Sequence, residues 1–189
     1  RLINDILDVG KLEASSVIFE FAPTDLRATA EQTIDANRAL AEEQGVSVRL
    51  DTRSPNFWVR ADPDRLIQVL TNLLSNAIKF SPRDGEVVVT IVRRPLTGYV
   101  TVHDHGPGIP EEFKARIFGK FEQAKVNGSQ QKTGSGLGLN IVANIVTQHA
   151  GSFGYSDAPG GGTIFHFEIP LWNADRVGTP ALSQDALTP

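Results

Sequence analysis

The sequence has no cysteine, no methionine and no long run of apolar residues. The lack of cysteine excludes disulfide bonds and cysteine-ligated zinc sites. No apolar run reaches the roughly 18 residues that a membrane-spanning helix needs, and no secretory signal opens the chain. Because methionine is missing and the first residue is Arg1, we expect a fragment excised from a longer protein.

An excess of basic charge is missing as well. The 189 residues carry 22 acidic and 18 basic side chains, for a net charge of −4. No basic cluster favours a nucleic-acid or membrane surface, so we expect no nucleic-acid partner and no membrane contact. The 40% of hydrophobic residues and 21% of charged residues are typical of a globular chain with one core.

Hydrophobic periodicity and turn residues predict helices inserted among strands. Helices are predicted at 1–14, from Thr24 or Asp25 to about Gln44, from Asp62 to Phe80, at 111–117 and from Gly136 to Gly151. Strands are predicted at 17–22, 46–51, 57–60, 86–93, 98–104, 152–156 and 163–169, with a turn at 54–56 joining the second and third. This order predicts an α+β fold, a two-layer α/β sandwich with one mixed sheet and one helical layer. The wide apolar face of 1–14 favours partner helices; packing on its own domain is the alternative.

The segment NLLSNAIKF, residues 72–80, lies in the helix predicted after Asp62. Asn72, Asn76 and Lys79 are spaced at i, i+4 and i+7, so they share one polar face of that helix. Amide oxygens suit Mg²⁺, which prefers hard oxygen ligands, and a lysine ammonium suits a phosphate. This face is therefore either a polar binding site or simply solvated.

The segment DHGPGIP, residues 104–110, follows a predicted strand. Val100, Val102 and Asp104 alternate along it, which places Asp104 on the inner side with the two valines. A carboxylate there needs a partner, and the amino group of a base would serve. Gly106 and Gly108 allow the backbone to lie close to a flat ligand. The alternative is an ordinary exit of a strand into a turn.

Three alternating glycines mark the segment TGSGLGL, residues 133–139, just before a predicted helix. Backbone N–H groups and the helix dipole would meet phosphates there. A Walker A loop is excluded because Gln131, and not glycine, precedes Lys132. A dinucleotide fingerprint is excluded because Leu139 stands where glycine is required.

A run of glycines also leads into the last predicted strand, in the segment GGGTIF at 160–165. The glycines enter the strand through Thr163. A tight hairpin turn is the simplest interpretation of this segment taken alone.

In order and spacing, these motifs together resemble the catalytic domain of sensor histidine kinases, of the superfamily that includes gyrase-type and Hsp90-type ATPases. NLLSNAIKF resembles the N box, DHGPGIP the first glycine box, IFGKFEQ the F box, TGSGLGL the second glycine box and GGGTIFHFEIP the final strand motif. The resemblance covers about residues 1–170 and implies the Bergerat fold, with about five strands under three helices. RLINDILDVGKLEA resembles the end of the second dimerisation helix, which implies domains at 1–15, 16–170 and, as a tail or linker, 171–189.

The resemblance implies an enzyme that binds ATP and Mg²⁺ and passes the γ-phosphate to a histidine. Asn76 would coordinate Mg²⁺, with Asn72 and Lys79 in the same catalytic pocket. Asp104 would hydrogen-bond the adenine amino group above Gly106 and Gly108. The other implied ATP-binding residues are Phe80, Ile109, Phe118, Phe121, Lys132, Thr133, Gly134, Ser135, Gly136, Leu137, Gly138, Leu139 and Thr163. Residues 119–135 match a lid over ATP; which of Lys120, Lys125 and Lys132 supplies charge from it stays open.

The resemblance also implies partners and a location. The phosphate would pass from the histidine to an aspartate of a response-regulator receiver domain. The full-length protein would form a homodimer through its dimerisation domain, and this catalytic part would be cytoplasmic.

One position separates the branches of this superfamily. Gyrase-type and Hsp90-type ATPases carry a glutamate four residues before the magnesium asparagine, where it activates water for hydrolysis. Asn72 occupies this position and cannot act as a base, which favours transfer to histidine. An ATPase that moves domains and a nucleotide-binding scaffold without catalysis remain alternatives.

None of the four histidines fits the acceptor of the family, so we expect the acceptor upstream of Arg1. His103 is followed by an acid, but the proline comes one residue early, and His166 lies in the last strand. His149 lies near a predicted helix end, where its positive charge would favour the helix dipole. His103 and His105 share a strand face and form an alternative metal pair with no evident third ligand.

Overall fold

The computed structural model describes residue 10 and residues 18–52, 54–123 and 135–172. Apart from residue 10, the helix predicted at 1–14 lies outside the described residues. So does most of the predicted lid, with Lys125, Lys132, Thr133 and Gly134. The tail from residue 173 does so too. These predictions stay predictions.

Within the described ranges, the chain forms seven strands and five helices. The strands are β1 (Ala22–Asp25), β2 (Ser47–Thr52), β3 (Trp58–Ala61), β4 (Glu86–Arg93), β5 (Thr97–Asp104), β6 (Ser152–Asp157) and β7 (Thr163–Pro170). The helices are α1 (Leu26–Ala36), α2 (Arg38–Gln44), α3 (Pro63–Phe80), α4 (Glu111–Lys114) and α5 (Gly138–Gln148). No described helix is both long and apolar enough to cross a lipid bilayer.

The main sheet has five strands in the order β2-β4-β5-β7-β6. Strand β2 runs parallel to β4, and the other neighbours are antiparallel, so the sheet is mixed as predicted. Alternate residues of β4, β5 and β7 are buried. Since α3 packs against β4 and β5 and α5 packs against β7, these residues form the core between sheet and helices. The predicted two-layer α+β sandwich is confirmed.

Helix α3 follows directly from local sequence signals. Asp62 caps its first turn, because Oδ1 accepts a hydrogen bond from the Arg65 N–H at 3.2 Å, and Pro63 occupies the first helical position. Leu66, Leu70, Leu73 and Ala77 follow one another at helical spacing and form a buried apolar stripe. The helix ends at Phe80, just before Ser81 and Pro82, since proline cannot continue it.

The helix predicted from Asp25 to Gln44 is interrupted, and that prediction was wrong in its length. Asp25 does cap α1, but the helix ends at Ala36, and only Asn37 separates it from the start of α2 at Arg38. The Asn37 Nδ2 donates to the Thr33 carbonyl at 2.9 Å, and the Thr33 hydroxyl donates to the Thr29 carbonyl at 2.7 Å. These side chains compete for backbone acceptors, which bends or breaks a helix.

The pairing of the early strands also differs from the prediction. The strand predicted at 17–22 is displaced to β1, which pairs antiparallel with β3 in a separate two-stranded sheet. The turn at 54–56 therefore does not join two paired strands, because β2 belongs to the main sheet. Strand β3 packs against β5 and β7 of the main sheet, and its residues Val59 and Ala61 are fully buried.

Candidate functional site

A buried carboxylate stands at the end of β5. Asp104 is 4% exposed, on the same face as Val100 and Val102, as the alternation predicted. Its Oδ1 accepts hydrogen bonds from the Gly106 N–H at 2.8 Å and the Thr163 N–H at 3.3 Å. Burial raises the pKa of Asp104 above the ordinary value of a carboxyl group, while these two hydrogen bonds act in the opposite direction. The carboxylate is thus held in one orientation at a cost in solvation.

Two glycines allow the backbone to lie this close to Asp104. A Cβ atom on Gly106 would lie 2.9 Å from Asp104 Oδ1 and 2.7 Å from the Phe80 carbonyl oxygen. A Cβ atom on Gly162, whose φ is +98°, would overlap the Asp104 carbonyl oxygen. Glycine is therefore required at both positions. Gly108 also lies close to Gly162: a Cβ atom added at Gly108 would be 3.7 Å from the Gly162 carbonyl oxygen.

The polar face of α3 lies next to this turn. Asn72, Asn76 and Lys79 are half-buried, while the opposite face of the helix is fully buried. A Cβ atom on Gly138 would lie 3.1 Å from the Asn72 amide oxygen, so Asn72 faces the first turn of α5. Since Phe80 ends α3 against Gly106, the polar face extends from Asp104 to α5.

Among the residues that the structure describes, no side chain caps the first turn of α5. Its N-cap residue, Leu137, is buried and makes no capping hydrogen bond from its side chain, whereas Asp25 and Asp62 cap α1 and α3. Ser135 Oγ accepts a weak hydrogen bond of 3.3 Å from the Leu137 N–H, just before the helix. The N–H groups of the first turn of a helix attract anions, and phosphate groups in particular.

The remaining predicted residues lie around these elements in two environments. Phe80 and Phe121 are 40% and 61% exposed, and Lys120 is exposed as well. A Cβ atom on Gly136 would lie 2.7 Å from the Phe121 carbonyl carbon, so the two backbones touch. The half-buried residues that pack against the core are Ile109, Phe118 and Leu139. The Phe118 ring packs edge-on against Phe153 of β6, with 4.9 Å between centroids.

The predicted histidine pair lies on the opposite face of β5 from the core. The rings of His103 and His105 are 4.4 Å apart, and His105 Nδ1 donates to the Glu86 carbonyl at 2.9 Å. Burial lowers the pKa of His103, and its Nε2 has no hydrogen-bond partner among the described residues. Across the described ranges, no group of three or more His, Cys, Asp or Glu side chains is arranged to hold a metal ion.

His149 was misinterpreted from the sequence. It is 1% exposed at the C-terminal end of α5, and burial lowers its pKa. Nδ1 donates to the Ile145 carbonyl at 2.8 Å, and Nε2 accepts from the Asp62 N–H at 3.0 Å. A ring nitrogen that accepts carries no proton, so His149 is neutral and the predicted charge at the helix end was wrong.

The same histidine joins three parts of the chain. The rings of Phe19 and Phe21 pack edge-on against it, at centroid distances of 5.5 and 5.2 Å. Asp62 Oδ2 accepts from the Glu20 N–H at 3.0 Å. We call Phe19, Phe21, Asp62 and His149 the junction; it lies where α3 begins and α5 ends. No motif pointed to it, because Asp62 and His149 are 87 residues apart.

Gly162 is the residue near Asp104 that the sequence analysis left out of the site. The signal was available in the GGG run directly before Thr163. In the sheet, Asp104 pairs with Thr163, so the residue before Thr163 must lie against the end of β5. The position of Gly162 beside Asp104 follows from the register of β5 and β7, which the sequence does not give.

Comparison with known proteins identifies the family of this chain. Residues 61–173 match the family described as histidine kinase-, DNA gyrase B-, and HSP90-like ATPase. The chain is 40% identical to the non-motile and phage-resistance protein of Caulobacter vibrioides, over 93% of this chain and 21% of that protein. It is 36% identical to the signal transduction histidine-protein kinase BarA of Escherichia coli, over 90% of this chain and 19% of that protein.

A solved structure is similar as well. Full-length ShkA, crystallised in complex with AMPPNP, has a TM-score of 0.80 and 32% identity, over 92% of this chain and 36% of that chain. The chain thus spans only 19% to 21% of the length of the two curated relatives above. Because the family model covers more than half of the chain and includes Asp104, α3 and α5, the chain belongs to the family of histidine kinase-, DNA gyrase B- and HSP90-like ATPases.

Proposed function

We propose that the chain is the ATP-binding catalytic domain of a sensor histidine kinase. It transfers the γ-phosphate of ATP to a histidine on a dimerisation domain, for relay to a response-regulator aspartate. The observation that carries the proposal is the buried Asp104 carboxylate, held by two backbone N–H groups beside the uncapped start of α5. The name of BarA and the AMPPNP complex of ShkA support it.

Asp104 recognises the base by hydrogen bonding. Among the hydrogen bonds of the described residues, both that Asp104 accepts are on Oδ1. Oδ2 then accepts from the amino group of adenine. Guanine carries a keto oxygen at the same ring position, which would face the carboxylate, so adenine is favoured. A mismatch of this kind costs more than a lost contact, because it leaves the buried Oδ2 without a donor and facing another acceptor.

The phosphates lie between α3 and α5. The N–H groups of the first turn of α5 bind phosphate oxygens, together with the backbone of Ser135 and Gly136, and the ammonium of Lys79 approaches from α3. The half-buried amide of Asn76, which offers a hard oxygen on the same face, fits Mg²⁺ and would hold it. When bound, Mg²⁺ neutralises charge on the transferring phosphates.

Asn72 favours a kinase over a hydrolase. Its amide faces the start of α5, where a glutamate would be placed to activate water. An amide has no basic lone pair for that task. The acceptor histidine brings its own lone pair and is expected upstream of Arg1. The proposal extends to dimerisation through residues 1–15 and the segment before them, a receiver-domain partner, a cytoplasmic location and a tail or linker from residue 171.

Calorimetric titration with ATP, with and without Mg²⁺, tests the pocket. We expect wild type to bind ATP, more tightly than GTP, and Asp104→Asn to bind at least about 100-fold more weakly. Asp104→Asn keeps an Oδ1 for the N–H groups of Gly106 and Thr163 and removes a buried charge, so its free energy of unfolding does not fall. Asp35→Asn, at an exposed carboxylate on α1, is the control and leaves affinity unchanged. Equal affinity in Asp104→Asn, or no binding of ATP by wild type, would refute the pocket.

A phosphorylation assay on the full-length protein tests the reaction. Radiolabelled γ-phosphate should appear on a histidine, as an acid-labile and alkali-stable label, and Asn76→Ala should abolish it. Steady release of phosphate without a labelled protein would indicate the ATPase instead. ATP binding without either product would indicate a scaffold.

A further inference from the structure

A second asparagine cluster lies on α5, outside the motifs of the sequence analysis. Asn140 is in the first turn of α5, and Asn144 is one turn further on the same face. Asn140 Nδ2 donates to the Phe118 carbonyl at 3.0 Å. Asn144 Nδ2 donates to both oxygens of Asn140: the carbonyl at 2.9 Å and Oδ1 at 3.1 Å.

This arrangement leaves only one orientation for the Asn140 amide. Since Oδ1 receives the hydrogen bond from Asn144, the NH₂ group must point to Phe118. A half-buried carbonyl is thereby satisfied by a residue 22 positions away. Asn144 thus orients Asn140, and Asn140 fastens the turn after α4 to the start of α5.

The turn around Phe118 also contacts the main sheet and is closed by an ion pair across its own ends. The Phe118 ring packs on Phe153 and Tyr155 of β6, and Arg116 pairs with Glu122 at 3.0 Å. Three residues after Phe118, Phe121 adopts a left-handed conformation, with φ +57°, and its backbone touches Gly136. The Asn140–Phe118 hydrogen bond therefore sets how the turn meets the residues that begin α5.

We infer that Asn140, oriented by Asn144, is a positioning residue that holds the Phe118–Phe121 turn against the uncapped start of α5 and so shapes the binding site for the triphosphate. Asn140 acts through the backbone of this turn and does not touch the base. Gly138, two residues before Asn140 on α5, faces Asn72. The inference rests on the proposed function, since it assumes that phosphates bind there.

A comparison of ATP with adenosine separates positioning from general structural support. Asn140→Leu keeps the shape of the side chain and removes the donor. We expect ATP affinity, by calorimetry with Mg²⁺, to fall about tenfold, the equivalent of one hydrogen bond of roughly 1.4 kcal/mol. Adenosine affinity, by a protein NMR titration, should stay within about twofold, because Asp104 is untouched. Asn144→Ala should produce a smaller loss for ATP in the same direction.

Thr147→Val serves as the matched control, because it removes an exposed hydroxyl that bonds within α5 and should change neither affinity. If Asn140→Leu does not fold, Asn140→Ser replaces it in the same comparison. Unchanged ATP affinity, or an equal loss for ATP and adenosine, would overturn the inference while the proposed function stands. Failure of wild type to bind ATP would instead overturn the proposed function, and the inference with it.

Discussion

Helices α3 and α5 pack together, and the two ends of this pair differ in how their polar groups are satisfied. At the junction, His149 and Asp62 use their polar atoms within the protein, beneath the rings of Phe19 and Phe21. At the other end, which we call the nucleotide end, no described side chain caps the start of α5, and a carboxylate is buried at a cost in solvation. Buried polar groups are normally satisfied from within, so the nucleotide end is where an outside partner is expected.

The two ends should therefore differ in what they contribute to stability and to ATP binding. Side chains at the junction should contribute mainly to the free energy of unfolding, and those at the nucleotide end mainly to affinity for ATP. The backbone around Asp104 is the exception, since it should contribute both to the free energy of unfolding and to the affinity for ATP. Three changes test this division, in order of decreasing effect.

Gly162→Ala should have the largest effect and should break the division. The added Cβ overlaps the Asp104 carbonyl oxygen, and the left-handed φ of +98° adds strain. We expect the free energy of unfolding to fall by about 3 kcal/mol or more, since neither backbone can move without the other. ATP binding should be lost as well. Chemical denaturation and calorimetry measure the two effects.

Gly160→Ala is the matched control for this prediction. Gly160 also has a positive φ, of +87°, but a Cβ there meets nothing within 4 Å. Only strain is added, which costs about 1–2 kcal/mol, and ATP affinity should hold. Equal losses in the two variants would show that the clash with Asp104 does not matter.

His149→Ala should have the next largest effect and should sharpen the division. The imidazole is 1% exposed, and its removal leaves a cavity and a buried Asp62 N–H without an acceptor. We expect the free energy of unfolding to fall by about 2–4 kcal/mol. At 10 °C, where the variant remains folded, ATP affinity should change by less than about twofold. Affinity that falls in parallel with stability would show that the two ends are not separable.

The pH dependence of stability should show the smallest effect. Burial lowers the pKa of His149, so the unfolded chain, where histidine titrates near about 6.5, takes up the proton first. The contribution of His149 is therefore complete above that pH and is lost as the pH falls below it. Burial also lowers the pKa of His103 and His166, which act in the same direction.

Urea midpoints at pH 7.5 and 5.5 measure this dependence. The midpoint of wild type should be lower at pH 5.5, and His149→Gln should reduce the difference. His103 and His166 contribute to the remainder. Asp104, whose pKa is raised by burial, has the opposite sign, because protonation at acidic pH relieves its burial. An unchanged difference in His149→Gln would show that the junction histidine is not the group that titrates.

Much of the fold could be predicted from local sequence because its signals are local. Asp62, Pro63 and the apolar stripe define α3 within one segment, and the confirmed alternation of Val100, Val102 and Asp104 places the carboxylate on the inner face. A helical period of 3.6 and a strand period of 2 need no distant partner. The polar face of α3 and the start of α5 were found for the same reason.

The errors arose where distant residues compete with local signals. The helix predicted to Gln44 breaks where the side chains of Thr33 and Asn37 bond to the backbone one turn earlier. Strand β3 pairs with β1, although β2 precedes it directly, and Val59 and Ala61 of β3 are buried where the strand packs against β5 and β7. Periodicity identifies a strand but not its partner.

Local patterns of residues predicted most of the elements, the face of each that is buried, and the polar groups of α3, β5 and the start of α5. Contacts between distant segments fix how these meet: Thr163 and Gly162 lie against Asp104, Asn140 against Phe118, and His149 against Asp62. Each of these pairs joins residues between 22 and 87 positions apart. The physical reason is that a hydrogen bond or a steric overlap depends on distance in space, which a local pattern of residue types does not contain.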